Sequence, residues 1–231
     1  MSRNITLAPG KYYHIYNRGT EKRNIFTVKA DYDRFLALLY FANGTEPVHI
    51  ENLKRQQKER GSTLLNVLAN DVRGEPLVDI CAYCLMPNHF HLLLHEKTDS
   101  GISRFMQKIG NGYTGYFNVR HDRNGALFQG KFKATLVDND NYLSYLISYI
   151  HLNPIKLIEP TWKETGIKNK IQAEKYLEHY PYSSYLDYFL NNNRTESIIL
   201  NKNALPQYSE SPIDFKRSIT EWLTYNPDSL E

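Results

Sequence analysis

Cysteine is nearly missing from this chain: Cys81 and Cys84 are the only two in 231 residues, too few to staple a fold, so a reducing compartment is expected. No unbroken apolar stretch approaches the roughly 18–20 residues of a membrane-spanning helix. The opening MSRNITLAPGKYYHIYNRG lacks the apolar centre of a secretion signal, so the expected location is cytoplasmic, without a membrane partner. Excess charge is also small. With 28 Lys and Arg against 25 Asp and Glu, the net charge is +3, which admits a nucleic-acid partner only if the basic residues gather on one face. An apolar fraction of 41% at a mean hydropathy of −0.55 excludes disordered and collagen-like classes. No internal repeat is present. Tyrosine, by contrast, is abundant, at 18 residues.

Alternation of aromatic or aliphatic with polar residues over Tyr12–Arg18, closed by Gly19, predicts a strand and turn. Phe35, Leu38, Leu39 and Ala42 fall at helical spacing within 31–43, and Gly44 supplies a stop. Residues 44–77 turn polar and charged and read as a partly helical insertion. Two β-rich runs, 78–86 and 89–95, joined by Pro87-Asn88, predict a hairpin. Ile102, Phe105, Met106, Ile109, Tyr113 and Phe117 predict a long second helix, 131–137 a further strand, and Asp140 to about Asn153 a third helix capped by Asp138 or Asn139. The order β-α-(insert)-β-β-α-β-α implies an α+β sandwich, with a mainly antiparallel sheet carrying helices on one face. The expected division is a core of residues 1–160 and a small helical C-terminal extension, 161–231.

Three groupings could carry chemistry. His89 and His91, two apart on a strand, point to one face about 7 Å apart and could converge on a divalent ion, or they could be a turn residue and a hydrogen-bonded core histidine. Tyr149 and Asn153, four apart on a helix, share a face. A phenol can be a nucleophile and an amide oxygen a metal ligand, while Tyr142, Tyr145 and Tyr149 also fit a core stripe. Arg104, Lys108, Arg120, Arg123, Lys131 and Lys133 stand against the single acid Asp122 between 101 and 136, interleaved with Tyr113, Tyr116, Phe128 and Phe132. That mixture suits a phosphate backbone with stacked unpaired bases, or an ordinary surface. Cys81 and Cys84, three apart on a strand, should face opposite ways, and no second pair completes a zinc site.

The segments Cys84-Leu85-Met86-Pro87-Asn88-His89-Phe90-His91-Leu92-Leu93, Gly125-Ala126-Leu127-Phe128-Gln129-Gly130-Lys131-Phe132-Lys133 and Tyr149-Ile150-His151-Leu152-Asn153-Pro154 together closely resemble the single-tyrosine HUH transposases, and within them the REP-associated tyrosine transposases. Tyr16-Asn17-Arg18-Gly19 and Ser183-Ser184-Tyr185 extend the likeness over roughly residues 10–190, with 44–77 as the main departure. The resemblance implies a ferredoxin-like α+β fold in which His89 and His91 hold a divalent metal (Mg²⁺ or Mn²⁺), Asn153 adds a ligand, and Tyr149 is the nucleophile. It implies cleavage and rejoining of single-stranded DNA near a hairpin through a 5′-phosphotyrosine link, with no nucleotide cofactor and in either monomeric or homodimeric form. Asn17, Arg18 and Gln129, inside these motifs, join the six basic residues as expected DNA contacts. Among the rival phenols, only Tyr149 has an amide at +4; Tyr113, Tyr116 and Tyr145 are followed there by Phe117, Arg120 and Tyr149. The competing expectations are a domesticated hairpin-binding protein without strand transfer and a metal-dependent phosphodiesterase using a metal-bound water.

Overall fold

The computed structural model describes residues 6–46, 74–190 and 194–206. The bulk of the insertion expected at 44–77 lies outside the described residues. The elements are β1 (Tyr12–Arg18), α1 (Lys29–Phe41), β2 (Val78–Met86), β3 (His89–Glu96), α2 (Gly101–Arg120), β4 (Lys133–Val137), α3 (Asp140–Leu152), α4 (Trp162–Thr165), α5 (Lys170–Glu178) and α6 (Tyr185–Phe189). The strands form one sheet in the order β2-β3-β1-β4, with each neighbouring pair antiparallel. This is the expected ferredoxin-like α+β sheet, laid out by two β-α-β passes that place β1 and β3 at the centre.

Side-chain parity then divides the strands between two layers. Tyr13 and Ile15 of β1, Tyr83 and Leu85 of β2, and Phe90, Leu92 and Leu94 of β3 pack with Phe35, Leu39, Phe105, Ile109 and Tyr113 of α1 and α2. Ala82, Cys84 and Met86 of β2 and Leu93 of β3 pack instead with Leu143, Leu146, Ile147 and Ile150 of α3. The third helix thus covers the face opposite α1 and α2, where the sequence reading had all helices on one side. Hydrophobic periodicity reports that a helix packs but not which side of a sheet receives it. Asn139 caps α3, its side-chain oxygen accepting from the Tyr142 amide at 2.8 Å.

The cysteines also depart from expectation. A β-bulge between Ile80 and Ala82 sets two residues of β2 against one step of β3. Parity therefore resets, and Cys81 and Cys84 both enter the α3-side cluster as free, buried thiols.

After α3 a 3-10 turn runs over Asn153–Leu157, with Pro154 as its second residue, which cannot continue the helical hydrogen bonding. Beyond it, Trp162, Ile167, Ala173, Leu177, Tyr185 and Leu186 close a third cluster on Leu152 and Ile155. The chain then returns to the sheet: the Leu85 amide donates to Tyr182 O at 2.9 Å and the Ser184 amide to Tyr83 O at 3.0 Å, so residues 182–184 run along the outer edge of β2. Among the described residues, no helix is long and apolar enough to cross a membrane.

Candidate active site

Register places the strand histidines. His91 of β3 lies between Tyr16 of β1 and Cys84 of β2, and His89 stands opposite Arg18. Residues 89 and 91 share the α3-facing side, and their ring centroids are 5.0 Å apart. His14, two before Tyr16 on the same side of β1, adds a third imidazole: its Nε2 is 2.8 Å from His91 Nδ1. From above, α3 lowers Tyr149 onto this group, with its ring 5.4 Å from His91 and 6.1 Å from His14, edge-on to both. Asn153, one helical turn further, is fully buried, and its amide nitrogen donates to Tyr149 O at 3.2 Å. His89, His91, Tyr149 and Asn153 therefore meet within a single chain.

The hydrogen bonds orient the rings. The Asn88 amide nitrogen donates to Lys22 O at 3.2 Å, so its oxygen is the atom 2.6 Å from His89 Nδ1 and accepts a proton from it. His89 Nε2 is left with its lone pair. In the tautomer where His91 Nδ1–H donates to His14 Nε2, His91 Nε2 is free in the same way. Burial, reinforced by nearby lysines, pushes His14 and His89 down to about 4, with the Asn153 amide weakly opposing the shift at His89. Burial and then its two imidazole neighbours press His91 well below the ordinary histidine range. All three are neutral at pH 7. The Asn153 side-chain oxygen is buried without a hydrogen-bond partner. Two neutral imidazoles with outward lone pairs and an unsatisfied amide oxygen make a donor set that fits a divalent cation. Among the described residues no trio of His, Cys, Asp or Glu forms a metal cluster.

The sequence pattern of the family described as "Transposase IS200 like" matches residues 10–153, more than half of the chain and all of this site. The chain belongs to the IS200-like transposase family. It is accordingly an enzyme acting on DNA. Comparison with curated proteins gave no match. Among solved structures, the transposase is similar to a REP-associated tyrosine transposase bound to a REP hairpin, at 15% identity and a TM-score of 0.45, covering 81% of this chain and 83% of the other. It is also similar to the tRNA(His) guanylyltransferase of Saccharomyces cerevisiae, at 14% identity and a TM-score of 0.33, covering 91% and 85%.

Rival phenols of the transposase are otherwise engaged. Tyr113 is fully buried with its hydroxyl donating to Ile25 O, and burial raises its pKa far above the usual phenol range. Tyr116 donates to Asp31 at 3.1 Å and is pushed up to about 12, first by burial and then by that carboxylate. Tyr145 stacks nearly parallel on Tyr149 at 6.2 Å. Tyr142, Tyr145 and Tyr149 form a ladder along one edge of α3 that is not fully buried, with Tyr145 39% exposed.

The expected DNA contacts of the transposase separate into groups. Arg18 donates to Gln129 Oε1 at 2.5 Å, Asn17 donates to Gly130 O at 3.1 Å, and Lys133 lies over the Tyr16 ring at 5.9 Å, so these residues gather with Lys131 at the His89 end of the sheet. A positive φ of 76° at Gly130 turns the chain there, a conformation glycine adopts without strain. Beneath this loop a cavity of about 370 Å³ is lined by Asn17, Phe90, Asn111, Phe128, Lys131 and Phe132, among others. Lys108 is instead tied to the carbonyls of Gly44 and Glu46, Arg120 to the buried Asp31 at 3.4 Å, and Arg123 to Asn118 at 2.7 Å. Arg104 lies with Lys108 on α2, away from the histidines. Sequence reasoning missed His14, whose signal was its place two residues from Tyr16 on an alternating strand. It also missed Lys156 and Lys163, which come from separate turns and have no motif in common.

Proposed function

We propose that this transposase cleaves and rejoins single-stranded DNA beside a hairpin, with Tyr149 as the nucleophile. The observation that carries the proposal is the meeting of the Tyr149 ring with His91 at 5.4 Å, with His89 alongside and the unpartnered Asn153 oxygen one turn away. The phenolic oxygen of Tyr149 attacks phosphorus, forming the Tyr–O–P bond as the P–O3′ bond breaks. The 3′ end leaves as a hydroxyl, and the 5′ end stays on the tyrosine. In the reverse step a 3′ hydroxyl attacks phosphorus and restores the free phenol. The phosphoester energy is conserved throughout, so no nucleotide cofactor is needed.

The chain's residues have separable tasks. The sheet holds His89 and His91 rigidly, Asn88 fixes the tautomer of His89, His14 steadies the His91 ring, and α3 sets the phenol against them. His89 Nε2, His91 Nε2 and Asn153 Oδ1 are the atoms that would hold Mg²⁺ or Mn²⁺, which when bound withdraws charge from a phosphate oxygen. Arg18, Gln129, Lys131 and Lys133, at the same end of the sheet, line a route for the strand.

The test is adduct formation. Incubated with manganese and a hairpin oligonucleotide bearing single-stranded flanks, the protein should form a covalent adduct that persists on a denaturing gel. Tyr149→Phe should lower its rate at least about 10³-fold while hairpin binding persists. An adduct at the wild-type level in that variant refutes the nucleophile assignment.

A further inference from the structure

Two lysine head groups lie against the Tyr149 ring. Lys163 Nζ lies over the ring, 3.7 Å from its centroid, and Lys156 Nζ lies 5.8 Å from it. Their placement is built rather than incidental. Lys156 belongs to the 3-10 turn directly after α3, between buried Ile155 and the rest of the third cluster, and Lys163 is anchored by its neighbour Trp162, 3% exposed in the same cluster. Both head groups lie over the same ring. Both are held below the usual lysine range, first by burial. At Lys156 the Lys163 charge adds to the depression, while Glu164 opposes it at both. Their positive charge reaches His14, His89 and His91 as well. Like charges brought together beside a nucleophile repel until an anion lies between them.

We infer that Lys156 and Lys163 form a clamp for the nonbridging oxygens of the phosphate that Tyr149 attacks. The inference rests on the transposase reading above and adds its substrate-holding residues. Ammonium groups beside the phenol supply positive charge as negative charge grows on the attacked group. The lysines then hold that phosphate beside the Tyr149 ring, while His91 and His14 stand at the ring's edge.

The test uses the full-length protein without added metal and two fluorescent oligonucleotides: a hairpin with a single-stranded flank, and the same hairpin trimmed flush. Wild type should bind the flanked form more tightly. Lys156→Gln combined with Lys163→Gln should weaken flanked binding about tenfold and cut its salt slope by about 0.7, near one single-strand phosphate contact. Flush-hairpin binding should stay unchanged, which also shows that the variant is folded. Lys156→Arg with Lys163→Arg should restore flanked binding to within about threefold. Lys168→Gln with Lys170→Gln, the same charge loss away from Tyr149, should affect the two oligonucleotides equally. Equal wild-type binding to both oligonucleotides, or unchanged flanked binding in the first double variant, overturns the clamp. An absent adduct in wild type with manganese refutes the nucleophile reading instead, so the two failures are told apart.

Discussion

The two faces of the sheet are made by the same strands and are put to opposite uses. On the side of α1 and α2, Ile15, Phe35, Leu39, Phe90, Leu92, Phe105 and Ile109 are all essentially excluded from water, and the deep phenol of α2, Tyr113, spends its hydroxyl on a backbone carbonyl. On the side of α3 the alternate residues of β1 and β3 are His14, Tyr16, His89 and His91, and the packing is apolar only away from them, through Leu93, Val137, Leu143 and Ile150. A pleated strand can thus be wholly structural on one side and chemical on the other with no extra residues. The dry face gives the wet one its rigidity, because a side chain at position i inherits the fixity of its neighbours at i−1 and i+1.

This contrast can be broken from either side. The largest stability effect should come from the dry face: Phe35→Ala should cost about 3–5 kcal/mol, read as a lowered urea midpoint. Tyr149→Phe, on the other face, should leave that midpoint within about 0.5 kcal/mol of wild type. Next in size is His14→Phe, which removes the hydrogen-bond partner of His91 Nδ1 and should weaken Mn²⁺ binding by about 10–100-fold in calorimetry. Unchanged affinity would show that His14 merely fills space.

Acid should open the α3 side first. His14 and His89 sit at about 4 and His151 at about 3, all lowered chiefly by burial from an unfolded value near 6.5. An imidazole held neutral in the fold lets the unfolded chain bind more protons. The contribution of these residues is therefore complete above pH 6.5 and is lost as pH falls from there toward 4. The urea midpoint should decline over that window, and amide exchange should speed up in α3 before α1; the reverse order would contradict the comparison. The smallest expected effect concerns Cys81 and Cys84, whose pKa values burial raises strongly. In the native protein at pH 8 neither thiol should react with a thiol reagent within minutes, and both should react on unfolding.

Much of this arrangement could be read from local pattern. Period-2 and period-3.6 signals in β1, β3, α2 and α3 predicted those elements within about two residues, because amphipathic spacing is a local property. The His89–His91 and Tyr149–Asn153 pairs were visible for the same reason, each lying within one element. What the sequence reading missed depends on long-range geometry. The extra residue in β2 changes the parity of Cys81 through its register with β3. His14 gains meaning only once β1 pairs with β3, and Lys156 and Lys163 only once α4 folds back over Tyr149. Arg120 and Lys108 look free along the chain, yet their partners lie 89 and 64 positions away, at Asp31 and Gly44.

The strip at residues 182–184 carries a practical corollary. Its backbone, with the Ser184 hydroxyl, occupies hydrogen-bonding groups of Tyr83 and Leu85 that would otherwise form a bare sheet margin, and the same hydroxyl pins His151 at 2.8 Å just beyond the nucleophile. A fragment cut where the family pattern stops would shed this selvedge, leaving β2 open to strand-on-strand stacking between copies and α3 without its tether. Expression trials should therefore retain the chain through residue 206, well past the last motif that carries the chemistry.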